Sequence, residues 1–323
     1  MSNKGLEIKP NTIDFENELD KKGAFIRIDS SFRDHISKDH PIFKPEANRY
    51  HLYVSYACPW ANRTLMFLNL KGLEDIIDYS VVDYILETGG WKFSTRHGST
   101  VDKINNFPAL RDVYLLTDKE YSGRITVPVL FDKKTQRIVN NESSEIIRML
   151  NSQFNDFAKN PALDLCPSDL LTEIDKINEF VYPNINNGVY RCGFAVSQEA
   201  YDDAFEKLFA ALDKVEEILS KQRYLVGSRF TEADVRLFST LIRFDCVYVG
   251  HFKCNKRQIK EYPNLSNYTR EIYQMEPIKS TINFFHIKHH YYGSHRTINP
   301  YGIVPNGPNM DYINEPHDRN RFN

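Results

Sequence analysis

Residues 56–63 read Tyr-Ala-Cys-Pro-Trp-Ala-Asn-Arg, and the pair Cys58-Pro59 decides how the chain around it is read. Upstream, residues 49–57 (RYHLYVSYA) form a β-branched and aromatic run that reads as a strand. Downstream, residues 64–77 (TLMFLNLKGLEDII) put Leu65, Leu68 and Leu70 on one helix face, and Gly72 can end that helix. Residues 78–86 (DYSVVDYIL) read as a second strand. The unit is strand–helix–strand, with Cys58 at the strand-to-helix turn. Pro59 suits the first helical turn, where its missing N–H costs nothing. A thiol so placed meets free backbone N–H groups and the positive end of the helix dipole, which favour the thiolate and lower the pKa. A dithiol redox site would carry a second cysteine three residues on, but that position is Ala61. A mixed disulfide on Cys58 must then be released by an external thiol.

The rest of the chain falls into place around this unit. Residues 86 to about 120 are a long polar connection containing GGWKFSTRHGS, and an insertion of that length in a compact domain is usually functional or mobile. Residues 125–132 (ITVPVLFD) read as a strand with a proline inside it. Proline removes a ladder donor, so Val127-Pro128 suggests a cis peptide or an edge position. After a turn at Asp132-Lys133-Lys134, residues 136–142 give a short strand, and NNESSEIIRMLN (140–151) opens a helix behind cap-type residues. From about residue 168 the pattern is helical throughout. Thr231 and Asp234 have capping-box spacing, with Phe230 and Val235 as a hydrophobic staple. A chain of 323 residues suits two domains. The expected division is an arm over 1–48, an α/β domain over 49–152 and a helical domain over 168–323. From about 284 the chain is rich in His, Tyr, Asn and Pro and reads as a tail that orders on docking.

Composition excludes several classes. Lys+Arg 41 against Asp+Glu 43 leaves no basic surplus for nucleic acid or an anionic membrane. No apolar run approaches the roughly 20 residues of a membrane helix. The N-terminal stretch lacks the apolar core of a secretory signal, so a cytoplasmic location is expected. The five cysteines are scattered, with no CxxC pair and no zinc-ligand spacing, which fits free thiols in a reducing compartment. Cys192, Cys246 and Cys254 lack an activating motif and read as structural thiols. His286, His289, His290 and His295 have no Cys or carboxylate pattern to complete a metal site, so no metal is expected.

In order along the chain, YACPWANR, GGWKF, GRITVPVLFD, NNESSEIIRM, YLVGSRFTEADVRLF and HIKHHYYGSH resemble the glutathionyl-hydroquinone reductases, the Xi-class, omega-like glutathione transferases. The resemblance runs from about residue 45 to about 295. It implies a thioredoxin-like α/β N-terminal domain, an all-α glutathione-transferase C-terminal domain and a homodimer. It also implies glutathione as cosubstrate, with small-molecule glutathionyl-hydroquinones as the other partner. Cys58 matches the family nucleophile, which takes glutathione from the substrate as a mixed disulfide and yields it to a second glutathione. Val127, beside the expected cis-Pro128, can pair its backbone with the cysteinyl part of glutathione. Ser143 and Glu142, at a helix start, can hold the γ-glutamyl carboxylate and ammonium respectively. The resemblance further places Trp91 over glutathione and Arg124 on its glycyl carboxylate. It assigns Tyr190 and Tyr291 to catalysis at the hydroquinone pocket, with Tyr248 as a further pocket residue and Tyr292 as the alternative to its neighbour Tyr291. Two other readings stand beside this one. The first is an omega-type thioltransferase or dehydroascorbate reductase using the same Cys58. The second is a non-catalytic transferase-like binding module, against which Cys58, Val127-Pro128 and Glu142-Ser143 all argue.

Overall fold

The computed structural model describes residues 18–87 and 89–322; residues 1–17 of the expected arm lie outside the described residues. The strand leading to Cys58, β1 (Tyr50–Val54), is buried along its whole length. It can be so because it is central. The sheet order is β2-β1-β3-β4, with β2 at Asp78–Val81, β3 at Val129–Asp132 and β4 at Arg137–Asn140. β1 and β2 are parallel, joined by α1 (Pro59–Lys71), whereas β1/β3 and β3/β4 are antiparallel. Gly72 closes α1 in the left-handed conformation, at φ 65°, as its position suggested.

Pro128 is not inside a strand. The Val127-Pro128 peptide is cis, and the β3 ladder begins after it, at Val129. A proline has no N–H for the ladder, so pairing starts beyond it. β3 lies between β1 and β4, which rules out the edge position. The connection after residue 86 is also more ordered than its polarity suggested. It contains α2 (Leu110–Thr117), which buries Leu110, Val113 and Tyr114 at helical spacing. Leu110 N–H donates to Trp91 O at 2.9 Å, and Phe93 N–H to Pro108 O at 3.0 Å. The buried Asp102 carboxylate accepts from Tyr53 OH, Ile104 N–H and Phe107 N–H. Polar side chains here serve the connection's own backbone.

Helix α3 (Ser143–Ser152) follows β4, and every regular element after it is helical. These are α4 (Leu171–Val181), α5 (Gly188–Gly193), α6 (Gln198–Leu219), α7 (Glu232–Arg243), α8 (Pro263–Tyr273), α9 (Glu276–Lys279) and α10 (Phe284–Ser294). A π-helical turn follows α4 at Tyr182–Asn186, and another follows α7 at Phe244–Tyr248. The capping box is present at α7, where Thr231 N–H donates to Asp234 Oδ2 at 2.8 Å. The stretch read as a tail from residue 284 begins with a helix, α10. Its aromatic and His residues bury His286, Ile287, His290 and Tyr291. The arm docks on the outer edge of β4: Asp34 N–H donates to Val139 O at 3.0 Å and Asn141 N–H to Phe32 O at 3.0 Å. That covers an otherwise open sheet edge.

Candidate active site

Cys58 caps the N-terminus of α1, in extended conformation at φ −73° and ψ 121°, with Pro59 as the first helical residue. Its carbonyl accepts from Asn62 N–H at 3.0 Å, and its half-buried Sγ lies 3.5 Å from the Val127 carbonyl that precedes cis-Pro128. The strand–helix turn and the cis-proline loop, 69 residues apart, thus meet at the sulfur. Burial pushes the Cys58 thiol above its ordinary value, while the N–H groups of Ala61 and Trp60 and the charges of Arg243 and Arg27 oppose it. The lowering expected from the helix terminus is therefore present, and burial outweighs it.

Arg243 was not singled out in the sequence. It is fully buried at the end of α7. It donates to the carbonyls of Ala57 and Tyr56 at 2.9 Å each, to Asn62 Oδ1 at 3.1 Å and to Ser239 O at 2.7 Å. One helical-domain side chain thus holds the two residues before Cys58 and places a positive charge behind the thiol. Its identity follows from a contact across 186 residues, which no local pattern carries.

A cleft of about 570 Å³ opens over Cys58. Val127, Glu142 and Ser143 line it, as do Trp91 and Arg124. Glu142 caps α3: its carboxylate accepts from Ser144 N–H at 3.0 Å, Ser144 OH at 2.9 Å and Ser30 OH at 3.1 Å. Burial pushes this carboxyl up, but the Ser144 bonds and the Arg63 charge hold it below its ordinary value. Ser143, at the first position of α3, accepts from the buried Arg63 at 3.3 Å. Gly89 and Gly90, at φ 98° and 94°, turn the chain just before Trp91, a conformation glycine adopts without strain. The Trp91 indole stacks on His290, with ring centroids 5.0 Å apart. Arg124 lines the cleft, and Glu18 of the arm forms an ion pair with it.

On the helical side, Tyr190 OH and Tyr291 OH are 2.5 Å apart, and Tyr248 OH is 3.0 Å from Tyr291 OH. Burial pushes Tyr190 up to about 12 and raises Tyr291 and Tyr248 well above their ordinary value. Tyr190 and Tyr291 line the cleft. Tyr248 and Tyr292, expected in the pocket wall, do not. Tyr248 is fully buried, and its hydroxyl bonds Tyr291 instead. Tyr292 packs beside His251, at 4.7 Å between centroids, because successive residues of α10 point about 100° apart. Trp60 and Arg27, to which the sequence gives no role, and His290, weighed from the sequence only as a metal ligand, also line the cleft.

Among the described residues the one group of potential metal ligands is Asp34, His35 and His40, on the arm, and His286, His289, His290 and His295 are not part of it. Burial pushes His51, His251 and His290 down from 6.5 to about 4, and His295 well below 6.5. The unfolded chain therefore binds protons between about pH 6.5 and pH 4 that the folded chain refuses. The four histidines together should make stability fall as the pH drops from about 6.5 towards 4, outweighing the opposite contribution of buried Asp234, whose carboxyl is pushed up to about 6. Melting temperatures measured across that window check this, and a flat profile would contradict it.

The family model described as "Glutathione S-transferase, N-terminal domain" matches residues 57–153, and "Glutathione S-transferase, C-terminal domain" matches residues 198–271. The mixed sheet with its Cys–cis-Pro pair and the helical domain behind it are thus those of a glutathione transferase. Over 305 residues the chain is 50% identical to a glutathionyl-hydroquinone reductase of Escherichia coli K12, covering 92% of each protein. It is also similar to the glutathione-bound structure of a glutathione transferase homologue from Escherichia coli K-12, with TM-score 0.87 and 50% identity, covering 90% of this chain and 96% of that one. For the Xi glutathione-S-transferase of Phanerochaete chrysosporium the TM-score is 0.88 at 50% identity, covering 91% of this chain and all of that one (100%). The chain belongs to the glutathionyl-hydroquinone reductase family, the Xi-class, omega-like glutathione transferases.

Proposed function

We propose that this enzyme reduces glutathionyl-hydroquinones to hydroquinones, with glutathione as cosubstrate and glutathione disulfide as the second product. The observation that carries the reading is one thiol, Cys58, sharing a cleft with two hydrogen-bonded phenols, Tyr190 and Tyr291. In the first half-reaction the Cys58 sulfur attacks the glutathionyl sulfur. An S–S bond forms, the ring C–S bond breaks, and its electron pair takes a proton at the ring carbon. Tyr190 and Tyr291, which line the same cleft, hold the ring hydroxyls and supply that proton in this reading. In the second half-reaction a glutathione thiolate attacks the mixed disulfide, restoring Cys58 and releasing glutathione disulfide. Ala61 leaves no internal thiol to compete.

Glutathione fits along the α/β side of the cleft. Val127 offers its backbone outside the ladder, Ser143 and Glu142 receive the γ-glutamyl group, Trp91 covers the tripeptide and Arg124 takes the glycyl carboxylate. Arg124 is paired with Glu18 of the arm, and the glycyl carboxylate would take that carboxylate's place. Glu142→Gln and Ser143→Ala should each weaken glutathione binding about tenfold, the effect of one charge-assisted hydrogen bond. Calorimetric titration with glutathione reads this, and unchanged affinity in both variants would remove the two residues from the subsite.

In this reading the catalytic unit is a homodimer in the cytoplasm, with domains over 49–152 and 168–323. Five free cysteines support a reducing location, and no helix among the described residues is long and apolar enough to cross a membrane. The dimer rests on the family resemblance alone. Parallel assays with a glutathionyl-menadiol conjugate and with hydroxyethyl disulfide test the function. Activity on the disulfide alone would replace the reading with an omega-type thioltransferase.

A further inference from the structure

The arm delivers to the acceptor side of the cleft a cation whose hydrogen-bonding edge the reaction as described does not use. Arg27 lies with its guanidinium carbon 3.6 Å from the Trp60 ring centroid, 5.2 Å from that of Tyr190 and 5.7 Å from that of Phe25. Its Nε donates to Asn187 Oδ1 at 2.8 Å, which together with the indole fixes the plane of the group. The two amino groups, Nη1 and Nη2, have no hydrogen-bond or ion-pair partner among the described residues, and Arg27 lines the cleft. Three other arginines near the site are engaged, and Arg111, which also lines the cleft, is exposed and, among the described residues, not held against an aromatic face. Arg243 bonds four acceptors, Arg63 bonds Ser143 and Asn186, and Arg124 pairs with Glu18.

A guanidinium stacked on an aromatic face keeps its edge free for a planar anion, and its fork matches a carboxylate. Trp60 and Tyr190, themselves 4.9 Å apart between centroids, hold the guanidinium in the wall of the same cleft that Tyr291 and Cys58 line. We propose that Arg27 is a specificity-determining residue of the acceptor pocket that selects aromatic diols bearing a ring carboxylate. The proposal rests on the reading of this cleft as a glutathionyl-hydroquinone site. The ring lies in the cleft beside the tyrosine hydroxyls, the glutathionyl sulfur faces Cys58, and the carboxylate meets the Nη1–Nη2 edge of Arg27. The arm thereby helps decide which diol is taken, although the reacting groups all lie in the two domains.

The test compares two glutathionyl conjugates that differ in one charge: that of gentisate and that of its methyl ester. Wild type, Arg27→Lys and Arg27→Met are assayed with both, and the ratio of kcat/KM for acid over ester is the readout. The expected result is a wild-type preference for the acid that falls about tenfold in Arg27→Met, chiefly through KM, and recovers in part in Arg27→Lys. Equal losses on both conjugates would overturn the proposal, because the arm would then act structurally. A wild-type protein without preference would overturn it as well. So would a parallel loss of affinity for glutathione alone, since Arg27 would then be reading glutathione's own carboxylate. If wild type turns over neither conjugate, it is the reductase reading that fails. The selection by Arg27 is then read from the dissociation constants of the two conjugates on Cys58→Ser protein, with and without Arg27→Met. Equal constants there would overturn it.

Discussion

Replacing Cys58 by serine is expected to abolish turnover of a glutathionyl-hydroquinone, by about 10⁴-fold or more. The reaction needs a nucleophile that forms a reducible bond to sulfur. A serine hydroxyl is not ionised near neutral pH, and no S–S intermediate can form on it. No other group in the cleft substitutes, because Cys192, Cys246 and Cys254 are buried elsewhere and Cys166 follows α3. The fold should tolerate the change. The sulfur's one described hydrogen bond is the 3.5 Å contact to the Val127 carbonyl, which a hydroxyl can also make. Stability should shift by less than about 1 kcal/mol. A fully folded Cys58→Ser protein that keeps its turnover would mean another nucleophile and would reopen the assignment of the cleft.

The second large effect belongs to the tyrosine pair. Tyr190→Phe and Tyr291→Phe should each slow hydroquinone release by about 10²-fold, the usual scale for losing a positioned acid. The physical reason is the leaving group. Breaking the C–S bond leaves an electron pair on carbon, which needs a proton delivered at that atom. Exchange with hydroxyethyl disulfide expels a thiolate and needs no such proton, so the same variants should retain it within about threefold. Burial holds Tyr190 up at about 12, so it carries its proton throughout the neutral range. Because the two hydroxyls are 2.5 Å apart, the double variant should lose far less than the product of the single losses. Tyr248→Phe should cost only a few fold, since its hydroxyl acts through Tyr291. Equal losses in both assays would show that the phenyl variants damage the cleft and do not remove an acid.

What could be read in advance, and what could not, follows from the range of the interactions involved. Cys58-Pro59 is local chemistry: a strand, a helix-starting proline and a cysteine between them define the turn within ten residues. Thr231 and Asp234 are local too, and the α7 cap has the bonds their spacing implies. Val127-Pro128 was half legible, because a missing donor marks the irregularity while only the sheet order shows β3 to be central. The connection containing α2 misled by its polarity, since Asp102 turns inward to bind backbone and not outward to water. Tyr291 and Tyr292 are indistinguishable by type, and only the rotation of α10 separates them. The cleft roles of Arg243, Arg27 and His290 had no local signal, because their partners Ala57, Asn187 and Trp91 lie more than a hundred residues away. The same is true of the burial that raises the Cys58 thiol: the helix terminus is a sequence feature, but the desolvation is a property of the assembled cleft.

The most direct test of the central claim is a single half-reaction. Purified protein is mixed with a glutathionyl-hydroquinone in the absence of free glutathione, the released hydroquinone is quantified, and the protein is mapped by mass spectrometry. The account predicts one hydroquinone released and one glutathione gained per chain, with the adduct on Cys58 alone and removed by added glutathione. Hydroquinone release without a protein adduct, or an adduct on any other residue, would contradict it.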